Sequence, residues 1–552
     1  MSLNSSLKSV SSIRWWPAIS IVALAVAAVA YISFSDLPSR QEQIQRTGVT
    51  LITAILFLLI WFFAFSRLPK KIRLISFGAF IVLLGLGSTL FRLRGVSGDV
   101  LPLLEWRFAR NTVEALPQNS SGPAETISIK APETPALFSA EEAPPITSPS
   151  VNVKPATSSH LNTRDYPQFL GPDRDAKVHG LKLSRDWSKH PPKLLWRQSI
   201  GAGWSAFAVA GNLAITQEQR GPQEMVVAYD LKTGQVKWSH GDSVKYESPI
   251  AGDGPRATPT IVKNRVYTLG ATGMLNGLDL KTGKRMWSKN IIEDNEGRIN
   301  EWGNSGSPLL LDSLVIVNAG GQNGKSLVAY HKDTGARIWS GGNNRAAYSS
   351  PFVAALAGVP QILIFNQNNV VSHDPASGKI FWEQAWPGGS ECVAQPVPLP
   401  HDRVFVSSGY GIGCKLFQIQ RGDSAGWQVA LIWETNRLKA KFTNVIHRDG
   451  YIYGLDDGIL VCLDLANGER KWKAGRYGHG QMISIDDLLL IQAESGDVVL
   501  VEANPESYKE LSRFAALSGK TWNNPALAGN YLLVRNDREA ACYELPLELA
   551  AR

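Results

Sequence analysis

Three long apolar runs open the chain, at residues 15–34, 49–65 and 74–91. Each is 17–20 residues long, which is enough for an α-helix to cross a hydrocarbon core of roughly 30 Å. The second and third runs lie too far along the chain for a signal peptide, and the first lacks a convincing cleavage site. The pattern therefore predicts a membrane anchor over residues 1–110 with three transmembrane helices.

The basic residues between these runs predict the orientation of the helices. The loop after the second run contains four cations and no acid, namely Arg67, Lys70, Lys71 and Arg73. Because basic loops stay on the cytoplasmic side, we expect the N-terminus inside and everything after residue 91 outside. Arg92 and Arg94 oppose this orientation more weakly.

A tether is predicted next. Residues 111–160 contain eight prolines among Ser, Thr, Ala and Glu and show no helical or strand period. Such a composition is typical of a disordered, partly extended linker. Residues 95–110 are expected at the membrane interface, with Trp106 as an anchor.

The remainder of the chain, residues 161–552, is built on a repeat. Five segments share a Trp at the end, a Gly four residues before it and a polar residue eight before it: 226–238, 275–287, 327–339, 370–382 and 460–472. This spacing predicts a β-hairpin in which the Gly takes a positive φ and an Asp caps the turn amides. The Trp would then pack on the neighbouring sheet. We assign these residues to structure: Asp230, Trp238, Asp279, Trp287, Trp339, Asp374, Trp382, Asp464 and Trp472.

Two further strands fit between successive repeats, as in 258–270 and 443–457. Four strands per 40–50 residues is typical of a propeller blade. Two degenerate copies extend the count: the copy ending at Trp433 has an enlarged hairpin, and 498–514 has no Trp. Pairing of 193–199 with 541–547 would close the ring and remove its free edges. We therefore predict an all-β, eight-bladed β-propeller of four-stranded antiparallel blades, with seven or nine blades as alternatives.

The charge distribution argues against a nucleic-acid partner. The formal net charge is +8, yet residues 1–110 contain twelve Lys and Arg and four acids, so the rest of the chain is neutral. A neutral body lacks the positive surface that phosphate binding needs.

The repeat D-x-x-T-G-x-x-x-W resembles that of the quinoprotein, or PQQ-like, β-propellers. This superfamily includes dehydrogenases that use pyrroloquinoline quinone (PQQ), and the non-enzymatic, BamB-like propeller subunit of the bacterial outer-membrane β-barrel assembly machine. Residues 166–176, YPQFLGPDRDA, are similar to the W-x-x-F-R-G-P-x-R-D-G segment of bacterial PQQ-like repeat proteins. The resemblance covers about 165–547. It implies a bacterial protein, so the predicted anchor is expected in the inner membrane and the predicted outside compartment is the periplasm.

The resemblance does not extend to the enzymes' specific marks. A vicinal Cys pair that stacks on the quinone is absent, because Cys392, Cys414, Cys462 and Cys542 are all separated. The calcium ligands of the alcohol dehydrogenases find no match, and no D-x-D-x-D loop is present. We predict no metal site on these grounds.

A ligand site is expected where the loops before the innermost strands converge on the propeller axis. Aligning the blades on their first turns brings six binding candidates to this axial mouth: Trp204, Arg256, Asn304, Tyr348, His479 and Trp522. Such a ring is a platform for a planar anionic ligand such as PQQ. The alternative is packing between blades around a water-filled channel. Glu301 and Glu391 are the candidate catalytic bases.

Two functions from different classes follow. The first is a membrane-anchored periplasmic propeller that binds protein or envelope partners and does no chemistry. The second is a PQQ-dependent dehydrogenase, with Ca²⁺, that passes electrons to membrane quinone. A polysaccharide- or peptide-binding sensor is a third alternative.

Overall fold

The computed structural model describes residues 14–35, 39–108, 165–389, 391–422 and 426–548. It divides into two compact units, one formed mainly by the N-terminal residues up to 112 and the other by most of the remainder. The predicted linker, 111–160, lies outside the described residues.

The N-terminal unit contains the three predicted helices. They are α1 (Trp16–Phe34), α2 (Arg40–Ile60, continued by a π-helical turn at Trp61–Phe65) and α3 (Lys70–Leu90). All three are long and apolar enough to cross a membrane by length and composition. The second begins earlier than its apolar run because Ser39 caps it, accepting a hydrogen bond from the Glu42 amide at 3.2 Å.

A short hairpin follows α3, formed by β1 (Phe91–Val96) and β2 (Pro102–Trp106). Its apolar side chains Phe91, Leu93, Leu104 and Trp106 are exposed. The expected interfacial segment is therefore an amphipathic hairpin within this unit.

The second unit confirms the predicted eight-bladed propeller. A two-residue strand, β3 (Lys177–Val178), and β4 (Lys193–Ser199) come first. Blades 1 to 4 then use β5 (Ala208–Ala210), β6 (Leu213–Arg220), β7 (Gln223–Asp230), β8 (Val236–Asp242), β9 (Thr260–Val262), β10 (Arg265–Leu269), β11 (Met274–Asp279), β12 (Arg285–Asn290), the short helix α4 (Ile291–Asp294), β13 (Leu309–Leu311), β14 (Leu314–Asn318), β15 (Leu327–His331), β16 (Arg337–Gly341), β17 (Phe352–Leu356), β18 (Val359–Asn366), β19 (Asn369–His373) and β20 (Ile380–Ala385).

Blades 5 to 8 repeat the pattern. They use β21 (Val397–Leu399), β22 (Arg403–Ser408), β23 (Gly413–Gly422), β24 (Gly426–Thr435), β25 (Ile446–Arg448), β26 (Tyr451–Asp456), β27 (Ile459–Asp464), β28 (Arg470–Arg476), β29 (Gln481–Ile485), β30 (Leu488–Gln492), β31 (Asp497–Glu502), β32 (Glu510–Ala515), β33 (Ala526–Ala528), β34 (Tyr531–Arg535) and β35 (Glu539–Glu544). Each blade runs from a short innermost strand to an exposed outermost one.

The ring closes through the N-terminal strand of the propeller. Strand β4, which directly precedes blade 1, pairs antiparallel with β35, so residues 193–199 complete blade 8 against 539–544. Arg535 reinforces this closure from β34: it is buried, and it donates to Thr216 Oγ1 at 2.6 Å and to the Gln217 carbonyl at 2.7 Å in blade 1. Because the ring is closed, no inner blade face is left open to water.

The repeat motif links several neighbouring blades. In blade 2, Asp279 Oδ1 accepts from the amides of Lys281 and Thr282 at 3.2 and 2.9 Å, and Gly283 has a φ of +69°. The Trp238 indole of blade 1 packs on this glycine and donates to the Leu280 carbonyl at 2.9 Å. The same docking of Trp on the next blade's turn Gly joins Trp196 to Gly234, Trp287 to Gly335, Trp339 to Gly378 and Trp433 to Gly468.

A β-bulge that the sequence pattern did not reveal lies one residue before each repeat Trp. In blade 2, Gly277 faces Trp287 and Leu278 faces Arg285, so Met286 has no partner. The same shift of register occurs in the outer strands of the other seven blades. Bulges bend a strand and interrupt its free edge, which suits strands that end each blade.

Residues 165–187, the leading segment, contact several blades before the ring begins. Tyr166 exchanges backbone hydrogen bonds with Val209 in blade 1, and the Pro167 carbonyl accepts from Ile261 in blade 2 at 2.8 Å. Arg174 reaches the Ser307 and Pro308 carbonyls of blade 3. The segment then pairs through β3 with β29 of blade 7. It therefore lies along the innermost strands of blades 1, 2, 3 and 7.

The leading segment also supplies the indole that blade 7 lacks. Where other blades have a repeat Trp, β32 has Ser512. Trp187 is buried there, donates its amide to Ser512 Oγ at 2.9 Å and lies edge-to-face on Phe514 at 5.5 Å. A residue far away in sequence thus packs beside the position that a repeat Trp occupies in other blades.

Candidate functional site

The loops before the innermost strands bring six aromatic or imidazole rings into one continuous cluster at the axial mouth. Trp204, before β5, lies 4.9 Å from Trp522, before β33, and Trp522 lies 5.0 Å from Phe442, before β25. The His479 ring, before β29, is 5.5 Å from Phe442. All these distances join ring centroids. The structure thus brings together Trp204, His479 and Trp522 as the alignment predicted.

Trp302 extends the cluster across the mouth. This side chain, in the loop before β13, stacks on Tyr348 at 5.1 Å and meets Phe442 edge-on at 6.2 Å. It therefore bridges the loops of blades 3, 4 and 6. The alignment of the blades missed Trp302, because this residue lies two to three residues before the position that was aligned between blades. A wider window around each aligned position would have included it.

Two buried lysines, also missed, lie over the aromatic faces. Lys520 Nζ is 4.1 Å from the ring centroid of Trp522 and 4.9 Å from that of Trp204, while Lys441 Nζ is 5.3 Å from that of Phe442. Such cation–π contacts contribute about 0.5–2 kcal/mol each. Both lysines precede an aligned aromatic by one or two residues, so the same wider window would have found them.

Glu494 ties two members of the cluster together. Its carboxylate accepts from Trp522 Nε1 at 3.0 Å and from the His479 amide at 2.9 Å. The mouth therefore combines three cations, Lys441, Lys520 and Arg256, with carboxylates from several loops.

Arg256 and Asn304 are engaged within the protein. The Arg256 guanidinium stacks over the Tyr246 ring at 4.5 Å and donates to the Gly254 carbonyl. Its burial lowers the pKa to about 10, and the group stays protonated at neutral pH. Asn304 is buried and donates to the Ala271 carbonyl at 3.1 Å.

The two candidate bases lie near Tyr348. Burial of its phenol, with a smaller contribution from the carboxylates of Glu301 and Glu391, raises the pKa of Tyr348. Tyr348 Oη accepts from the Trp302 amide at 3.2 Å, and Tyr246 donates its hydroxyl to the Glu301 carbonyl. Glu301 is exposed, whereas Glu391 is half-buried. Both carboxyls therefore lie near Tyr348, at one side of the mouth.

The aromatic cluster does not fit PQQ as it is arranged. A planar tricycle inserted between two rings needs them about 7 Å apart, twice the carbon–carbon contact distance of roughly 3.5 Å. The contacts among Trp204, Trp302, Tyr348, Phe442, His479 and Trp522 measure 4.9–6.2 Å. None of these neighbouring pairs therefore has the spacing that would hold a planar tricycle between its two rings.

The surrounding donor set does not suit the calcium ion or the quinone chemistry of the dehydrogenases either. Among the described residues, no group of three or more His, Cys, Asp or Glu side chains could hold a metal ion. The four cysteines are buried and free, and burial raises the pKa of each thiol to about 12.

A cavity of about 240 Å³ lies between the leading segment and the inner strands of blades 4 to 6. Lys177 Nζ lies 3.7 Å from Asp175 Oδ2, so these charges offset one another. Burial, helped by nearby Lys177 and Arg403, lowers the pKa of His447 to about 4 and keeps it neutral. The cavity is therefore close to charge-balanced and offers little attraction to an ion.

These features define the class: a quinoprotein-like β-propeller with docked tryptophans and an aromatic axial mouth. A family model described as "Outer membrane protein assembly factor BamB" matches residues 186–303 and 300–474, which together span just over half of the chain. The chain belongs to this family.

Individual relatives are more distant. The outer membrane protein assembly factor BamB of Xanthomonas campestris pv. campestris is 30% identical over 138 residues, 25% of this chain and 31% of that protein. The quinohemoprotein alcohol dehydrogenase of Comamonas testosteroni is 28% identical over 120 residues, 21% of this chain and 16% of that protein. The chain thus spans less than a third of the length of either curated relative.

The solved structure of the Comamonas testosteroni quinohemoprotein alcohol dehydrogenase shares the fold. It matches with a TM-score of 0.52 at 13% identity, covering 72% of this chain and 82% of that one. Family and fold agree, while neither assigns an activity to this chain.

Proposed function

We propose that this chain is a membrane-anchored PQQ-like propeller that binds protein partners of the bacterial envelope and catalyses no reaction. The observation that carries the proposal is the direct contact of the aromatic rings at the axial mouth, where Trp302, Phe442 and Trp522 lie too close together to hold a planar cofactor between them. The leading segment covers the innermost strands of blades 1, 2, 3 and 7. A propeller arranged in this way offers its rims and edges for binding.

The proposed location is the inner membrane, with the propeller in the periplasm. The uncompensated cations between α2 and α3 favour a cytoplasmic loop. A similarity to assembly factors of the outer membrane supports partners in the envelope.

The alternative is a PQQ-dependent dehydrogenase. Its support is the pair of tryptophans with Lys520 above them, together with the 28% identity to a quinohemoprotein alcohol dehydrogenase. This function requires the rings of the mouth to separate so that a tricarboxylate can enter beside Arg256.

Titration of the full chain in detergent with PQQ and Ca²⁺, followed by tryptophan fluorescence, separates the two functions. We expect no saturable quenching. Under the dehydrogenase alternative, binding is saturable and Arg256→Ala weakens it about 10–150-fold, because a charge-assisted hydrogen bond contributes about 1.5–3 kcal/mol. Exposed Arg470, changed to Ala, is the matched control.

Saturable binding that depends on Arg256 but not on Arg470 would refute the proposal. A positive test comes from crosslinking and mass spectrometry on intact membranes that contain the full chain. The proposal expects stoichiometric crosslinks from propeller rim residues to envelope proteins, and a chain that crosslinks to none of them would contradict it.

A further inference from the structure

Blade 5 projects a two-stranded arm that the other blades lack. Its outer strands, β23 and β24, have ten residues each. In blade 1 a single residue pair, Tyr229 with Val236, follows the bulge before the chain turns. In blade 5 six pairs follow it, from Phe417 with Leu431 to Gly422 with Gly426. We call residues 417–422 and 426–431 the arm.

The outer edge of the arm has no charged residue. Strand β24 reads GWQVALIWET, and its one charge, Glu434, lies next to the end of the strand. The other seven outer strands each contain a charge within a shorter sequence, at Arg197, Lys237, Arg285, Arg337, Glu383, Lys473 and Arg513. Charges on an edge strand discourage pairing with another chain. Blade 5 alone, among the eight described blades, omits this protection over most of its edge.

Apolar side chains are exposed along that edge. Leu431 is 51% exposed and Ile432 is 44% exposed. The strand is the last one of its sheet, and it is rich in the β-branched and aromatic residues that favour strands. The bulge at Ile432 interrupts this edge, and the regular part before it, residues 426–431, is a template for a further strand.

An aromatic contact holds the arm in place. Trp427 lies against Phe381 of blade 4, with ring centroids 5.2 Å apart, and the Arg421 guanidinium lies 5.8 Å from the Trp427 ring. The arm is therefore fixed beside the neighbouring blade, so a segment that binds its edge meets an ordered surface and pays less ordering entropy.

We propose that the outer edge of β24 is a docking site for one extended, uncharged, apolar segment of a partner polypeptide, which adds to blade 5 as a fifth strand. This rests on the proposed function as a binding module. The uncharged edge selects an uncharged segment, since a charge placed opposite it would lose water without gaining a partner. A second copy of this chain is a different occupant, and the sedimentation measurement gives it a separate outcome.

The test uses the full chain in detergent and a fluorescein-labelled ten-residue peptide of alternating Thr and Val. The same peptide with Pro at every second position cannot pair and is the control ligand. Binding is measured by fluorescence anisotropy. We compare wild type with Leu431→Lys/Ile432→Lys, and with Ile338→Lys, which changes an equally exposed residue before the repeat Trp of blade 3.

We expect saturable binding of the alternating peptide to wild type, at least ten-fold weaker binding to the double variant, unchanged binding to Ile338→Lys and none of the proline peptide. Should the double variant fail to fold, Gln428→Lys/Ala430→Lys changes two exposed arm positions and must give the same loss.

Equal affinity of the peptide for all variants would overturn the docking site, as would the absence of binding. A concentration-dependent dimer in sedimentation velocity that the arm lysines abolish would overturn it in favour of a second copy. Either outcome leaves the PQQ titration unaffected, so failure of the arm and failure of the proposed function are distinguishable.

Discussion

The docking of Trp287 on the turn glycine of the next blade makes a measurable prediction at Gly335. This residue has a φ of +69°, and a Cβ added to it would lie 2.7 Å from Trp287 Cε3. Gly335→Ala therefore adds two costs: the left-handed backbone of an L-residue, about 1–2 kcal/mol, and displacement of a buried indole, about 1–3 kcal/mol for overpacking. We expect the free energy of unfolding to fall by about 2–5 kcal/mol.

Gly358 offers a matched control. Its φ is +70°, yet nothing lies within 4 Å of an added Cβ. Gly358→Ala should therefore cost only the backbone part, and the difference between the two variants isolates the docked Trp. Urea unfolding of the full chain in detergent, followed by far-UV circular dichroism, measures both.

A double variant sharpens the result. In a Trp287→Ala background the added Cβ has no indole to displace, so Gly335→Ala should cost about 1–3 kcal/mol less than in wild type. Trp287→Ala itself should cost about 3–5 kcal/mol, because it also removes the hydrogen bond from Nε1 to the Lys332 carbonyl at 2.7 Å. Equal destabilisation by the two glycine variants, or additive costs in the double variant, would refute the docking argument.

Three other predictions follow from the structure. Arg535→Met should lower the free energy of unfolding in urea by about 3–5 kcal/mol, because it leaves buried carbonyls at the junction with blade 1 without their donor. The exposed control Arg470→Met should change it by less than about 0.5 kcal/mol. Similar values for the two variants would contradict the role of Arg535 in closing the ring. Burial raises the pKa of Glu224 from 4.5 to about 7. The folded state therefore keeps the Glu224 proton to higher pH than the unfolded state, and the free energy of unfolding falls as pH rises from 4.5 to 7. Glu224→Gln should remove up to about 3 kcal/mol of that fall between pH 5 and pH 8, and an unchanged pH profile of stability would exclude a raised pKa at Glu224. A reporter fused after Arg552 should be active only if it works in the periplasm, and activity of a cytoplasm-only reporter would reverse the topology.

Local patterns were sufficient to predict the helices and the blades. An apolar run long enough to cross a bilayer depends on its own residues alone, and the hairpin motif contains its turn Gly, capping Asp and docking Trp within thirteen residues. Counting that motif predicted eight blades, and the unpaired first and last strands predicted the closure. The bulge before each Trp was missed, since it appears only when the register of two paired strands is compared.

The contents of the axial mouth required the tertiary structure. The alignment placed Trp204, His479 and Trp522 on converging loops, but it could not show that the rings meet, because contact depends on side-chain directions from different blades. Trp302 reaches Phe442 across the mouth, and Lys520 covers two indoles. The sequence by itself placed aromatic residues on loops that converge at the axis. Only the folded ring decided which of their side chains touch, because those contacts join residues of different blades.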